Sequence, residues 1–278
     1  MEKIIKIYGI VSLVIFISLW LSQPVNIKFN QINKDLLLNS FIYKNESLIN
    51  YYKYLEKDTL SYKLLIERLK GEEKIYFLQM RPFISEIVKA SQKTGIPIAS
   101  LASCIKRESQ FDPHAVSDKG AYGLMGVTIW AYQDVMRLRH QEKWINEALR
   151  EYGNFSWEDV KNNPELNIIV GAVYYKFLLN KLKDPTLAFL AYNWGIGNVR
   201  IMQEKYGDTK NILNRLKELA SWNSAWIEPA EYTKYISRFE TVFQKIEKKI
   251  EMTYTAERRL WENLAFSAFL PVEDNGSS

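Results

Sequence analysis

The chain has little with which to crosslink itself or hold a metal. Its one cysteine, Cys104, excludes an intrachain disulfide. Its two histidines, His114 and His140, stand at no metal-ligand spacing to each other or to Cys104. Both read as solvated surface, and no metal or organic cofactor is expected. A dense basic block is also missing: 37 Lys and Arg against 32 Asp and Glu leave a net charge of +5. That excludes the electrostatic footprint of a nucleic-acid binder. The mild positive balance suits an anionic surface, such as cell-wall polymer or lipid headgroups. Internal repeats, low-complexity tracts and convincing strand alternation are absent from the sequence. Helical periodicity remains, and the expected class is all-α.

Aromatics are plentiful, with 17 Tyr and 8 Trp. Their faces suit sugars, membrane interfaces and ordinary cores alike, so abundance alone selects no function. The amino terminus is more specific. It reads MEKIIKIYGIVSLVIFISLWLSQP, with Lys3 and Lys6 before an uncharged run over 7–21 and Pro24 after it. Basic residues ahead of an apolar run mark a secretory signal or an anchor. Trp20 and Leu21 occupy the place of a small-residue cleavage site, which favours an uncleaved anchor over 1–24. The positive-inside rule then leaves the remainder outside the cytoplasm. This implies the cell envelope, on the periplasmic side of the inner membrane, or secretion if the segment is cleaved.

Beyond the anchor, 25–77 reads as a helical stalk or packing segment, with Leu36, Leu37, Phe41, Leu60, Leu65 and Leu69 at helical spacing. A helical domain is expected over 78–245, and a helical tail with a frayed end over 246–278. Pro82 is expected to open a helix carrying Ile84, Ile87 and Val88, and Gly95-Ile96-Pro97 to end it and start the next. Ala115 to Gly126 reads as a small-residue loop, with helices resuming near Trp130. Asn163-Pro164 and Asp184-Pro185 pair a cap with a first-turn proline. Pro229 is expected to precede a long helix from Tyr232 to about Met252.

Within this plan Glu108 is the unusual residue. Leu101, Cys104 and Ile105 lie seven, four and three residues before it, on one helical face. Glu108 should therefore point along the buried side, while Lys106 and Arg107 face water. Burial favours the protonated carboxyl, which is the form a general acid requires near neutral pH. The glycine-rich run Gly120 to Gly126 is a tight loop that can bring backbone to a ligand, or simply a turn that packs Leu124 and Met125. Tyr192-Asn193 closes a helix beside Gly195 and Gly197, where a polar group can project into a cleft or serve as a cap.

The pattern Glu108-Ser109-x-Phe111-x-Pro113-x-Ala115-x-Ser117-x-x-Gly120-Ala121-x-Gly123-Leu124-Met125 closely resembles the signature of the soluble lytic transglycosylase (SLT) family. Asn167-Ile168-x-x-Gly171-x-x-Tyr174 resembles the family's second motif. Leu187-Ala188-x-x-Ala191-Tyr192-Asn193-x-Gly195-x-Gly197-x-Val199 resembles the third, and Glu231-x-x-x-Tyr235-Ile236 the last. The four cover roughly 83–239. The resemblance implies a lysozyme-like domain that cleaves the β-1,4 bond between N-acetylmuramic acid and N-acetylglucosamine in peptidoglycan strands, leaving a 1,6-anhydro ring. It implies that Glu108 acts as acid and then base. Ser117 would hold the carboxylate or the substrate's N-acetyl group, and Tyr192 would steady developing charge. Glu231 would complete the far wall, with Asn193, Met125, Gly126 and Thr128 lining the cleft. Protein partners are not indicated.

Two positions depart from the family pattern. Gly126 stands where relatives usually carry Gln, and Thr128 where an apolar Met is common, so substrate grip is expected to differ. Trp194, where many relatives have a small residue, could stack on sugar or fill core; Tyr122 and Trp130 are open to the same two readings. Two alternatives stand beside the transglycosylase: a muramidase on the same fold, and a non-catalytic peptidoglycan-binding or scaffold protein. Hydrolysis would call for a second well-placed carboxylate. The sequence offers only Asp112 nearby, which reads as a turn cap or a solvated group.

Overall fold

Two of the central helices begin where the sequence pairs a capping side chain with a first-turn proline. The computed structural model describes residues 51–52 and 60–268. In chain order come α1 (Leu60–Arg68), α2 (Glu72–Met80), a 3-10 turn at Arg81–Phe83, α3 (Ile84–Thr94) and α4 (Ile98–Glu108). An antiparallel ribbon of β1 (Ala121–Tyr122) and β2 (Val127–Thr128) follows, with Ala121 opposite Thr128 and Tyr122 opposite Val127. Then come α5 (Ile129–Arg139), α6 (Lys143–Leu149), α7 (Trp157–Asn162), α8 (Pro164–Leu182) and α9 (Pro185–Trp194). Finally α10 (Ile196–Tyr206) and α11 (Thr209–Trp222) lead to α12 (Ile227–Ala268).

The protein is all-α, and the ribbon is a departure from the expected absence of strands. At α8, Asn163 Oδ1 accepts from the N–H groups of Glu165 and Leu166. Pro164 takes the first helical position, where a missing N–H is tolerated. Asp184 and Pro185 repeat the arrangement at α9. Pro82 instead sits in the 3-10 turn. Pro229 lies inside the first turn of α12, so that helix starts five residues earlier than the proline suggested and runs further. A first-turn proline removes no intrahelical hydrogen bond, which explains the difference.

The core is organised around α8. Every residue from Leu166 to Val173 is buried, so this helix is enclosed on all sides by α3, α5, α7 and α9. Each fully buried Ile or Leu there contributes about 1.5–3 kcal/mol relative to exposure. The long α12 forms the other wall and packs on α4, α9, α11, α1 and α2. Its apolar stripe is Tyr232, Ile236, Phe243, Ile246 and Ile250, all buried.

The described residues lie in one compact unit, Leu48–Ser278. Leu65, Leu69, Phe77 and Met80 join the same core as the helices after them. The sequence divisions at 77/78 and 245/246 therefore fall within α2 and within α12. The expectation that Lys106 faces water is overturned. Lys106 is 8% exposed, because α2 covers that side of α4. Its ammonium donates to Gln79 Oε1 at 2.8 Å and lies over the Tyr76 ring. The expected anchor at 1–24 lies outside the described residues. Among the described residues no helix is long and apolar enough to cross a membrane.

Candidate active site

Glu108 is the last residue of α4, and the chain turns sharply after it. Ser109 caps the helix, and Gln110 and Phe111 both take left-handed backbone, at φ 55° and 68°. Such conformations strain non-glycine residues and need surrounding structure to hold them. Phe111 is held by burial against Phe243, edge to face at 6.0 Å. The Ser109 hydroxyl lies 2.9 Å from the Leu124 carbonyl oxygen, which ties the helix end to the glycine-rich loop.

That loop is gripped from two more helices. Asn167 on α8 is buried; its Oδ1 accepts from Met125 N–H at 2.8 Å, and its amide donates to the Tyr122 carbonyl at 2.8 Å. The Tyr192 hydroxyl on α9 donates to the Met125 carbonyl at 2.7 Å. These contacts press backbone against Glu108. A Cβ on Gly126, at φ 57°, would stand 2.7 Å from Glu108 Oε2. A Cβ on Gly171 would stand 2.5 Å from that of Met125 and 2.9 Å from the Tyr192 hydroxyl. Glycine at 126 is thus required by close approach to the carboxyl. A side-chain amide has no room there while Glu108 keeps this position.

The Glu108 carboxyl accepts a short hydrogen bond from the Tyr232 hydroxyl. Burial pushes its pKa up to about 7. The Tyr232 bond and the Arg107 charge hold it from rising further, while the neighbouring Glu228 pushes upward. Glu228 is held below the usual carboxylate range, chiefly by Lys119 at 2.5 Å and also by the Asn193 amide at 3.1 Å. Two acidic groups thus differ sharply: one near neutral titration, the other ionised and engaged. Cys104 lies beneath, buried, with its sulfur 4.0 Å from the Tyr232 oxygen. Burial pushes its thiol well up, consistent with an inert core residue.

The site residues expected from sequence fall into two groups. Glu108, Gly126, Tyr192 and Asn193 converge with Glu228, Lys119 and Tyr232. The Met125 side chain is fully buried, and only its backbone takes part. Thr128 caps α5 by accepting from Ala131 N–H. Ser117 is exposed, and its hydroxyl oxygen accepts from Ala121 N–H at 3.1 Å within the loop. Glu231 makes no hydrogen bond among the described residues and lies one helical step from the group. Trp194 is half-buried and meets Trp226 edge to face at 5.4 Å. Trp130 is 74% exposed, while Tyr122 packs on Trp157. The Asp112 carboxylate accepts from His114 N–H, as a turn cap does. Among the described residues no group of His, Cys, Asp and Glu is suited to a metal.

Sequence reasoning missed Tyr232 and Glu228 through a slip of register. The spacing Glu-x-x-x-Tyr occurs twice in Ile227-Glu228-Pro229-Ala230-Glu231-Tyr232-Thr233-Lys234-Tyr235, as 228/232 and as 231/235. The expectation rests on the second, and the first supplies the contacts. The distinguishing signal was present: Tyr232 begins the apolar stripe that continues through Ile236 and Phe243, whereas Tyr235 lies off it. The expectation of no second carboxylate near Glu108 is corrected by Glu228.

The stretch that matches a known family contains the first three motifs and ends before the fourth. The transglycosylase SLT domain family matches residues 85–214. Membrane-bound lytic murein transglycosylase C of Cronobacter sakazakii is 32% identical over 144 residues, 48% of this chain and 37% of that protein. Membrane-bound lytic murein transglycosylase F of Desulfosudis oleivorans is 27% identical over 218 residues, 70% of this chain and 42% of that protein. A crystal structure of the lytic transglycosylase Slt of Pseudomonas aeruginosa aligns with a TM-score of 0.46 and 21% identity, over 61% of this chain and 25% of that one. The chain spans well under half the length of these curated relatives. Over residues 85–214, somewhat less than half of its length, the chain is similar to the transglycosylase SLT domain family.

Proposed function

We propose that the protein is a peptidoglycan lytic transglycosylase, with Glu108 as its single acid and then base. The observation that carries this reading is the Glu108 carboxyl: half-buried, pushed up to about 7 by desolvation, and held by Tyr232 where backbone at Gly126 closes over it. A carboxylic acid still protonated near neutrality donates to the oxygen of the MurNAc-GlcNAc β-1,4 bond as it breaks. The substrate's N-acetyl oxygen meets the positive charge at C1. The Glu108 carboxylate then takes the proton of the same sugar's 6-hydroxyl as O6 closes on C1. No water is added, and a 1,6-anhydro end remains. Acid–base help of this kind is worth roughly 10²–10⁴ in rate. Tyr232 fixes the carboxyl, Tyr192 fixes the loop through Met125, and Asn193 with Glu228 forms the opposite wall. We also propose that residues 1–24 anchor the protein, with the domain on the periplasmic side of the inner membrane. The basic-then-apolar terminus supports this, as do relatives named membrane-bound.

A second reading is favoured by one observation: an ionised Glu228 near Glu108 could serve as the base for an attacking water, making the enzyme a muramidase. Its engagement by Lys119 and Asn193 argues against that role. One experiment separates the readings. Purified peptidoglycan is incubated with the protein, and products are identified by mass, with Glu108→Gln as control. Anhydro products, one water lighter and absent from the control, are expected. Reducing-end products would establish the muramidase. A folded protein that binds sacculi without releasing products would establish a binding role.

A further inference from the structure

A cavity of about 310 Å³ lies between α2, the end of α4 and α12. Tyr76 and Tyr235 supply apolar walls, and Glu72, Lys106, Arg107 and Arg238 supply charge. Glu72 and Arg238 neutralise each other as an ion pair, and the Tyr76 hydroxyl also donates to Glu72. Lys106 and Arg107 are left over. Neither makes an ion pair among the described residues. Lys106 is buried, donates to the neutral Gln79 amide, lies over the Tyr76 ring and feels the Glu72 carboxylate. The Arg107 guanidinium sits between the Tyr232 and Tyr235 rings, 5.5 and 5.4 Å from their centroids, and its Nε is buried without a hydrogen-bond partner. Three cations, Lys106, Arg107 and Arg238, thus meet the single Glu72 carboxylate around this cavity, and that surplus of positive charge favours an arriving anion. Lys106 and Arg107 lie within 85–214, the stretch that matches the family, whereas Glu72, Tyr76, Tyr235 and Arg238 lie outside it, on α2 and α12.

We propose that this cavity binds the terminal carboxylate of a short peptide with small apolar side chains. A planar, singly charged carboxylate matches the fork of Arg107 with the point charge of Lys106. The Glu72 carboxylate at the edge repels a doubly charged phosphate more strongly. The aromatic walls cover an apolar peptide body, and the volume is that of a small ligand site. Such a peptide has two sources: branches of the proposed polymer substrate, or free peptide. The link to the polymer rests on the function proposed above; the site itself does not.

The test uses the full chain and a calorimetric titration with N-acetyl-alanyl-alanine, its carboxy-terminal amide and inorganic phosphate. The acid is expected to bind, and the amide at least tenfold more weakly. Lys106→Met, which keeps the packing stem, and Arg238→Gln on the exposed rim should each weaken the acid by a similar factor. Glu108→Gln should bind it as the parent does, so a failure of the proposed chemistry leaves this result standing. Competition by glycan strands with their peptides attached, but not by strands stripped of them, would assign the polymer as source. Competition by neither would assign free peptide. Equal binding of acid and amide, no binding by the folded parent at millimolar ligand, or tighter binding of phosphate would overturn the proposal.

Discussion

At the scale of residues, the proposed chemistry turns on how one carboxyl keeps its proton. Glu108 is pushed up to about 7 by burial, so the acid form dominates below that pH. We predict that kcat/KM falls as pH rises through about 7. Tyr232 favours the ionised form by hydrogen bonding, so Tyr232→Phe should raise the pKa and move this alkaline limb to higher pH. The same shift sets a stability rule. A carboxyl that titrates higher when folded binds its proton more tightly in the native state, so native stability falls as pH rises from the ordinary carboxylate range towards 7. Glu108→Gln should therefore stabilise the protein at pH 8, by about 1–3 kcal/mol, and lose that advantage near pH 4. Denaturant melts of both proteins at the two pH values check the sign. Gly126→Ala adds a Cβ against the carboxyl at a left-handed φ. It should lower turnover at least tenfold while the far-ultraviolet circular dichroism stays unchanged.

At the scale of elements, the site is a loop clamped by three helices, and the Asn167 amide holds it at two points. Asn167→Ala leaves Met125 N–H and the Tyr122 carbonyl without their side-chain partner in buried surroundings. We expect a loss of about 2–4 kcal/mol, because each orphaned buried group costs about 1–3 kcal/mol. Thermal melts would measure it. Much of this layout was legible in the sequence. Cap and proline pairs marked the starts of α8 and α9, and the spacing of Leu101, Cys104 and Ile105 put Glu108 on the buried face. What was not legible depended on partners distant in sequence. Lys106 was assigned to water because nothing near it announces that α2 lies on top. Gly126 read as a lost amide, because only the folded loop brings position 126 against Glu108. Tyr232 was passed over for Tyr235 because two copies of one spacing overlap, and the buried stripe of α12 decides between them.

At the scale of the whole molecule, the helices on either side of residues 85–214 share one core with them. α12 carries Tyr232 at one end and continues to Ile246 and Ile250, which are buried where it packs on α1. Lys249 pairs with Glu73, and Arg68 donates to Thr253, fastening α1 and α2 to the far part of that helix. We predict that Ile246→Ala costs about 2–5 kcal/mol in a single cooperative transition, seen alike by tryptophan fluorescence and circular dichroism. Two separated transitions would mean that the flanking helices fold apart from residues 85–214. One feature of this core also supplies an instrument. Cys104 is the only thiol in the chain and lies sealed beneath Tyr232 and Glu108. Its rate of labelling by an aromatic disulfide reagent therefore times the opening of the active-site floor. A substrate that braces the site should slow that clock, with no probe attached and no residue replaced.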